Sequence, residues 1–339
     1  PTKITVIIGT RPEAIKLIPL INELKKYKID FRVSVCVTGQ HREMLDQVLK
    51  IFDIIPDYDL NIMTADQSLS SLSSKIFDGL SSTLESINPD YVVVQGDTTT
   101  TFISSVVAFY QKIKVIHIEA GLRTSDKWNP FPEEMNRRLT SHISDLHFCP
   151  TSSSKDNLLR EGILKDNIYI VGNTVIDSLL SLIEIQKNPT YSNKMTSRFL
   201  DKYNLDMSNI GKIILVTSHR RENIGTGFKN ICNSLLAISI NNPEIEIIFP
   251  VHLNPNIRDV AFQLLDDRKN IFLLDPIDYE EFVFLLSHSY LVLTDSGGVQ
   301  EEAPSLGKPV LVLRDSTERP EGVNSGTAIM VGTDPNIIV

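Results

Sequence analysis

Short apolar runs rich in β-branched residues alternate with longer segments of helical period along most of the chain. "KITVIIGT", "FRVSVCVTG", "YVVVQGD", "KVIHIEAG" and "LHFCPT" read as strands. "PEAIKLIPLINELKKY", "REMLDQVLKIF", "LSSLSSKIFDGLSSTLESI" and "TTTTFISSVVAFYQ" read as the helices between them. Strands that are apolar throughout and separated by helices belong in a parallel sheet covered on both faces. The rhythm pauses over a polar stretch, residues 186–211, and resumes with "KIILVTSH", "EIIFPVH", "IFLLDP", "YLVLTD" and "PVLVLRD". The pattern predicts an α/β chain of two doubly wound, Rossmann-like domains, 1–172 and 173–339, facing a cleft.

In such sheets ligands gather at the carboxyl ends of the strands, so the residues following each run are the first candidates for chemistry. They are strongly polar here: Arg11, Gly96-Asp97-Thr98, Glu119-Ala120-Gly121, Ser218-His219-Arg220-Arg221-Glu222, His252, Asp295-Ser296-Gly297-Gly298 and Arg314-Asp315.

The length of 339 residues suits two domains. The apolar runs fall far short of the ~20 residues that span a bilayer. The chain opens directly on a core strand, so we expect no secretion and a cytoplasmic location. Three widely spaced cysteines, Cys36, Cys149 and Cys232, fit a reducing compartment, burial as small hydrophobes and no metal cluster. A net charge of −9 argues against nucleic acid or an anionic membrane as partner. A phosphate ligand would therefore need a local cluster of cations.

Such a cluster is available in Arg11, Lys16, His219, Arg220, Arg221 and Arg319, although each alone also reads as a solvated charge. The acids form a second set: Asp97, Glu119, Glu133, Glu134, Glu301 and Glu302. Asp97 and Glu119 end neighbouring strands, where close carboxylates can divide acid and base work. Asp97 also reads as a cap for the helix opening at "TTTT", and Glu133 and Glu134 as acids favoured by a helix N-terminus. His117 reads as a packed strand residue. The G-x-G-x-x-G, G-x-x-x-x-G-K-[ST] and G-x-S-x-G fingerprints do not occur.

Taken together, "GTRPEAIK", "VTGQHREML", "GDTTTT", "IEAGLRT", "PEEMNR", "SHRREN" and "TDSGGVQEEAPSLGKPVLVLRDSTERPEG" resemble the non-hydrolysing bacterial-type UDP-N-acetylglucosamine 2-epimerases, in similar order over nearly the whole chain. The resemblance implies a glycosyltransferase-B-like fold, a UDP-sugar substrate, no cofactor and a homodimer. The implied reaction interconverts UDP-N-acetylglucosamine and UDP-N-acetylmannosamine, for cell-surface polysaccharide precursors. It implies Asp97, Glu119, Glu133 and His219 as catalytic residues. It implies Arg11, Lys16, Phe282, Ser296, Gly297, Gly298, Glu302 and Arg319 as substrate-binding residues. Gln40 and His41 match a regulatory site of some members, whereas Asp66 and Glu43 depart from that site's pattern.

The residues suit elimination independently. Carboxylates beside the sugar would move the C2 proton, and cations with a helix N-terminus would stabilise departing UDP. Epimerisation of a UDP-diacetamido sugar, hydrolytic release of UDP, and non-catalytic sugar-nucleotide sensing remain the rival expectations.

Overall fold

The computed structural model describes residues 1–39, 42–62, 67–124, 126–317 and 319–339. The chain divides into two compact units, Pro1–Ser178 and Leu179–Val339. In the first, β1 (Thr2–Ile8), α1 (Arg11–Lys26), β2 (Phe31–Val37), α2 (Arg42–Ile51), β3 (Tyr58–Asp59), α3 (Leu69–Ile87), β4 (Tyr91–Gln95) and α4 (Thr99–Tyr110) alternate. The series continues through β5 (Lys114–Ile118), α5 (Glu133–Ile143), β6 (Leu146–Cys149), α6 (Ser152–Arg160) and β7 (Ile168–Ile170). The chain then runs into α7 (Val175–Gln186) and α8 (Pro189–Tyr203).

The second unit alternates β8 (Lys212–Thr217), α9 (Thr226–Asn241), β9 (Ile245–Pro250), α10 (Pro255–Leu265), β10 (Ile271–Leu274), α11 (Tyr279–His288), β11 (Ser289–Thr294) and α12 (Val299–Ser305). β12 (Val310–Val312), α13 (Pro320–Asn324), β13 (Ala328–Met330) and α14 (Pro335–Ile338) complete it.

The two sheets run in the orders β3-β2-β1-β4-β5-β6-β7 and β10-β9-β8-β11-β12-β13. Every strand pair is parallel. Each unit is thus doubly wound, as the alternation predicts. The strand order reverses between β1 and β4 in the first sheet and between β8 and β11 in the second. Those reversals open the crevices where such folds take ligands.

Periodicity and end chemistry explain the helices. In α1, Ala14, Leu17, Ile18 and Ile21 form the buried stripe, while Lys25 and Lys26 complement the dipole in the last turn. Pro19 lies inside this helix and has no N–H for the Ile15 carbonyl. The hydroxyl of Ser178 donates to that carbonyl instead, so the acceptor is not orphaned.

The polar stretch read as a pause is largely helical. Asn188 caps α8 by accepting from Thr190 N at 3.0 Å, Pro189 occupies its first turn, and Asn204 closes it in the left-handed conformation. Only Met195 and Phe199 of α8 are buried, too few for a strong apolar stripe. Ion pairs fasten it instead. Arg198 and Lys202 reach the fully buried Glu281 of α11 at 2.9 and 3.0 Å, and Tyr203 donates to it at 3.1 Å. β3, β7 and β13 were missed because two- and three-residue strands have too few positions to show a pattern. Cys36, Cys149 and Cys232 are free and buried, as expected. Among the described residues no helix is long and apolar enough to cross a membrane.

Gly121 shows how tightly one strand-end turn packs. Its φ is +89°, and a Cβ would collide with the Ser154 carbonyl at the start of α6. Gly162 has a similar φ of +86° with open space around it. Gly162→Ala is expected to cost about 1–2 kcal/mol, the left-handed penalty alone. Gly121→Ala, with a backbone clash added, is expected to cost at least about twice that. Urea-denaturation midpoints of the two variants check the difference; equal losses would show that the Ser154 contact yields freely.

Candidate functional site

At the β1–β4 reversal two strand-to-helix turns meet over one carboxylate. Glu13, in the first turn of α1, is only 2 % exposed. Its Oε2 accepts from the backbone N–H of Gly9 at 2.7 Å and of Thr10 at 2.5 Å. Its Oε1 accepts from the Thr98 hydroxyl at 2.5 Å and lies 3.1 Å from that of Thr101. Burial pushes this carboxyl above the ordinary carboxylate range, and the four donors oppose the rise. Gly9 belongs to the same packing, since a Cβ there would overlap the Thr100 side chain.

The acid after β5 is held from several sides. Lys16 Nζ lies 2.8 and 2.7 Å from the two Glu119 carboxylate oxygens. Gln95 Nε2 donates to Oε2 at 2.5 Å and Asn173 Nδ2 to Oε1 at 3.3 Å. The backbone of Glu119 is left-handed, φ +61°, which a side chain with a Cβ adopts only when its surroundings insist.

Asp97, one strand over, has other partners. Its carboxylate takes Nε and Nη2 of Arg137 at 3.1 and 2.5 Å, and Asn136 Nδ2 donates to its backbone carbonyl at 3.0 Å. Asp97 is not the helix cap that its position allowed: Thr98 caps α4, accepting from Thr101 N at 3.1 Å. Glu133 and Glu134 separate clearly. Glu134 is fully buried and binds Arg138 at 2.8 Å, Arg137 at 3.3 Å and Thr124 N at 3.0 Å. Glu133 is half-buried and makes no hydrogen bond among the described residues, which leaves its carboxylate for other work.

His117 is a packed strand residue, as predicted, with Nε2 2.7 Å from the Gly96 carbonyl. Burial drives it down to about 3, so the ring is neutral at working pH. A neutral ring donates from Nε2 to that carbonyl and thereby braces the turn that precedes Asp97.

The β8–β11 reversal in the second unit repeats the device. Asp295 is fully buried at the end of β11. It accepts from the Ser218 hydroxyl at 2.9 Å, His219 N at 2.9 Å, Arg220 N at 2.9 Å and Asn223 Nδ2 at 3.2 Å. His219 Nδ1 lies 3.4 Å from it, and the ring stacks on His252 with centroids 6.1 Å apart. Burial lowers the His219 imidazole below its ordinary value, Asp295 opposes that, and Arg220 and His252 reinforce it.

In the turn leading to α12, Ser296 N is already committed to Thr294 Oγ1 at 2.9 Å. Ser296 therefore does not supply the backbone donor its place in the turn implied. The N–H groups of Gly297 and Gly298 donate to no acceptor among the described residues. Glu301 forms an ion pair with Arg319 at 2.6 Å, which places that arginine beside α12. Glu302 is buried, as is Tyr279 of α11, whose hydroxyl burial raises first and the Glu302 charge second. Phe282 is half-buried on α11, and Arg11 is half-buried at the start of α1. Gln40, His41 and Asp66, the residues of the regulatory pattern, lie outside the described residues.

Sequence reasoning missed Glu13, Gln95, Arg137 and Asn173 as site residues. Thr10-x-x-Glu13 was visible as a helix-start pattern, but not the reach of Glu13 to a second turn. Asp295 stood among the strand-end candidates, but nothing local showed it to be a fully buried acceptor for a second turn. The others carry no local signal, because their partners are 24 to 54 residues away.

Residues 22–339 match the family model described as UDP-N-acetylglucosamine 2-epimerase. The UDP-N-acetylglucosamine 2-epimerase of Escherichia coli (strain K12) is 52 % identical over 337 residues, 99 % of this chain and 88 % of that protein. The crystal structure of UDP-GlcNAc 2-epimerase from Neisseria meningitidis bound to UDP-GlcNAc aligns with a TM-score of 0.87 at 51 % identity, covering 99 % of this chain and 89 % of that one. The Methanocaldococcus jannaschii UDP-GlcNAc 2-epimerase in complex with UDP-GlcNAc and UDP aligns with a TM-score of 0.78 at 37 % identity, covering 99 % and 91 %.

His117 makes acid stability testable. Its folded value is depressed below the ordinary 6.5 to about 3, so its contribution is complete above pH 6.5 and lost as pH falls toward 3. From pH 6.5 to 5.5 this residue alone should cost about 1 kcal/mol. His117→Gln, whose amide can still donate to Gly96, is expected to lose that much less over the same interval. Urea denaturation of both proteins at the two pH values measures it; identical losses would mean that His117 takes up its proton without opening the fold.

Proposed function

The chain belongs to the UDP-N-acetylglucosamine 2-epimerase family, and on that footing we propose that it inverts C2 of UDP-N-acetylglucosamine by eliminating UDP and adding it back. The observation that carries this reading is the pair of strand-end carboxylates in the first unit: Glu119 in a strained backbone against Lys16, and Asp97 against Arg137. The C2 hydrogen has no neighbouring carbonyl to acidify it. Its removal is therefore coupled to departure of the C1 oxygen.

In the forward direction a carboxylate takes the C2 proton, the C1–O bond to UDP breaks, and a C1–C2 double bond forms. A β-phosphate oxygen of UDP then re-adds to C1, and a proton reaches C2 on the opposite face, giving UDP-N-acetylmannosamine. Asp97, Glu119 and Glu133 carry the proton transfers and stabilise positive charge at C1. Lys16 and Arg137 keep the first two as oriented anions.

UDP belongs to the second unit. Gly297 and Gly298 offer backbone N–H groups to the pyrophosphate, with Arg319 placed beside the same helix by Glu301, while Arg11 stays a substrate-binding candidate of the first unit. Glu302 accepts from ribose hydroxyls, Phe282 packs against the nucleotide, and Ser296 contributes its hydroxyl. His219, half-exposed and oriented by Asp295, donates to the phosphates as charge develops on them. A cytoplasmic homodimer making polysaccharide precursors completes the reading, and Gln40 and His41 stay with it as a candidate regulatory pair.

Proton NMR of UDP-N-acetylglucosamine with the protein in heavy water tests the reaction. The expected result is deuterium at C2 of both sugar nucleotides without accumulation of free UDP. Turnover that keeps the C2 proton would sink the elimination route, and stoichiometric UDP release would mark a hydrolase. Asp97→Asn and Glu119→Gln are each expected to lower kcat by ~10²-fold or more. Rates near wild type in steady-state assays would remove either residue from the chemistry.

A further inference from the structure

We propose that Glu13 is a positioning residue of the isomerase: its carboxylate clamps the turn after β1, which leads to Arg11 and Lys16, to the turn after β4, which carries Asp97. The proposal rests on the reading that Lys16, Asp97 and Glu119 serve the sugar. Each oxygen of Glu13 serves one turn, Oε2 the backbone of Gly9 and Thr10, Oε1 the hydroxyl of Thr98, with that of Thr101 3.1 Å away. Thr98 directly follows Asp97. Lys16 lies three residues beyond Glu13, on the same side of α1, and holds Glu119 at 2.7 Å.

The clamp extends to Glu119 by a second route. Thr98, held by Glu13, accepts from Thr101 N at 3.1 Å, the Thr101 hydroxyl donates to the Gln95 carbonyl at 2.6 Å, and the Gln95 side chain donates to Glu119 at 2.5 Å. One buried group thus sets the relative height of both acids that the elimination uses. A carboxylate at 2 % exposure is a costly way to close two turns. The cost is recovered only if the two turns must keep one register, and Lys16 beyond the first turn, which must meet Glu119, together with Asp97 on the second supplies that need.

Glu13→Gln keeps size and one oxygen. The backbone donors of Gly9 and Thr10 claim that oxygen, so the amide NH₂ faces the Thr98 hydroxyl, which must turn from donor to acceptor, and the charge-assisted grip on the Asp97 turn is weakened while the start of α1 stays closed. A purely structural acid would lower the melting temperature and leave the folded enzyme's kinetics alone. A clamp predicts otherwise, because a displacement of about 1 Å can cost about 10²-fold in rate. With the folded state verified by circular dichroism well below the melting temperature, Glu13→Gln is expected to lose about tenfold to 10²-fold in kcat. KM for UDP-N-acetylglucosamine and affinity for UDP should stay within about threefold, since the nucleotide belongs to the other unit's glycines.

A folded Glu13→Gln enzyme with kcat within about threefold of wild type overturns the proposal. Should that variant fail to fold, Thr98→Ala and Thr98→Ser decide. Removing the hydroxyl must lower kcat at least about fivefold with KM held, and the serine, which restores it, must recover the rate to within about twofold. Full kcat in Thr98→Ala overturns the clamp. Wild-type deuterium incorporation at C2 runs alongside as the control. Its absence would indict the reaction reading, whereas wild-type-like variants beside an active wild type indict the clamp alone.

Discussion

A carboxylate stripped of water must be saturated with hydrogen-bond donors, and both units are organised around one. Glu13 does this where β1 and β4 part, and Asp295 where β8 and β11 part. At those reversals two strand-to-helix turns stand side by side with backbone N–H groups facing outward and no strand between them to accept. A buried anion answers several of these donors at once, and in exchange the turns lose their freedom to move independently. The residues proposed to meet the substrate stand directly on these turns: Arg11 and Asp97 in the first unit, His219, Gly297 and Gly298 in the second.

This arrangement also bears on how an acidic chain can accept a UDP-sugar, whose pyrophosphate carries two negative charges. A net charge of −9 would repel UDP if the acids were spread evenly. Many of the acids of both units, Asp97 and Glu119 among them, are instead matched locally. Glu119 meets Lys16, Asp97 and Glu134 meet Arg137, Arg123 takes Glu161 at 2.7 Å, and Glu301 holds Arg319. In the second unit the groups proposed for the pyrophosphate are backbone N–H groups and cations, while the acids Asp295 and Glu302 are buried. Placement of charge, more than its total, decides what each crevice attracts.

The alternation of apolar runs and helical segments was legible because a doubly wound sheet buries both faces of each strand and one stripe of each helix. The reading failed where tertiary partners replaced the apolar stripe. α8 is fixed by Arg198 and Lys202 on Glu281, a pairing about 80 residues away in the chain, so its sequence looked like a linker. Asp97 offered a good cap by composition, yet Thr98, one residue later, takes the role because the strand leaves through Gly96 at φ +72° and aims Asp97 at Arg137.

The candidate acids and cations were named from the chain because strand ends of an open parallel sheet are where polar residues have no structural excuse. By itself the amino-acid order determined the fold class, the set of strand-end residues and the family motifs, since these depend on local periodicity and on neighbours within a few positions. Only the tertiary structure decided which charges pair, which glutamate of Glu133-Glu134 is buried, that Ser296 N is spent internally, and that Glu13 joins two turns 85 residues apart. Those outcomes depend on donors and acceptors brought together by strand order, and strand order is a property of the whole sheet that no local stretch encodes.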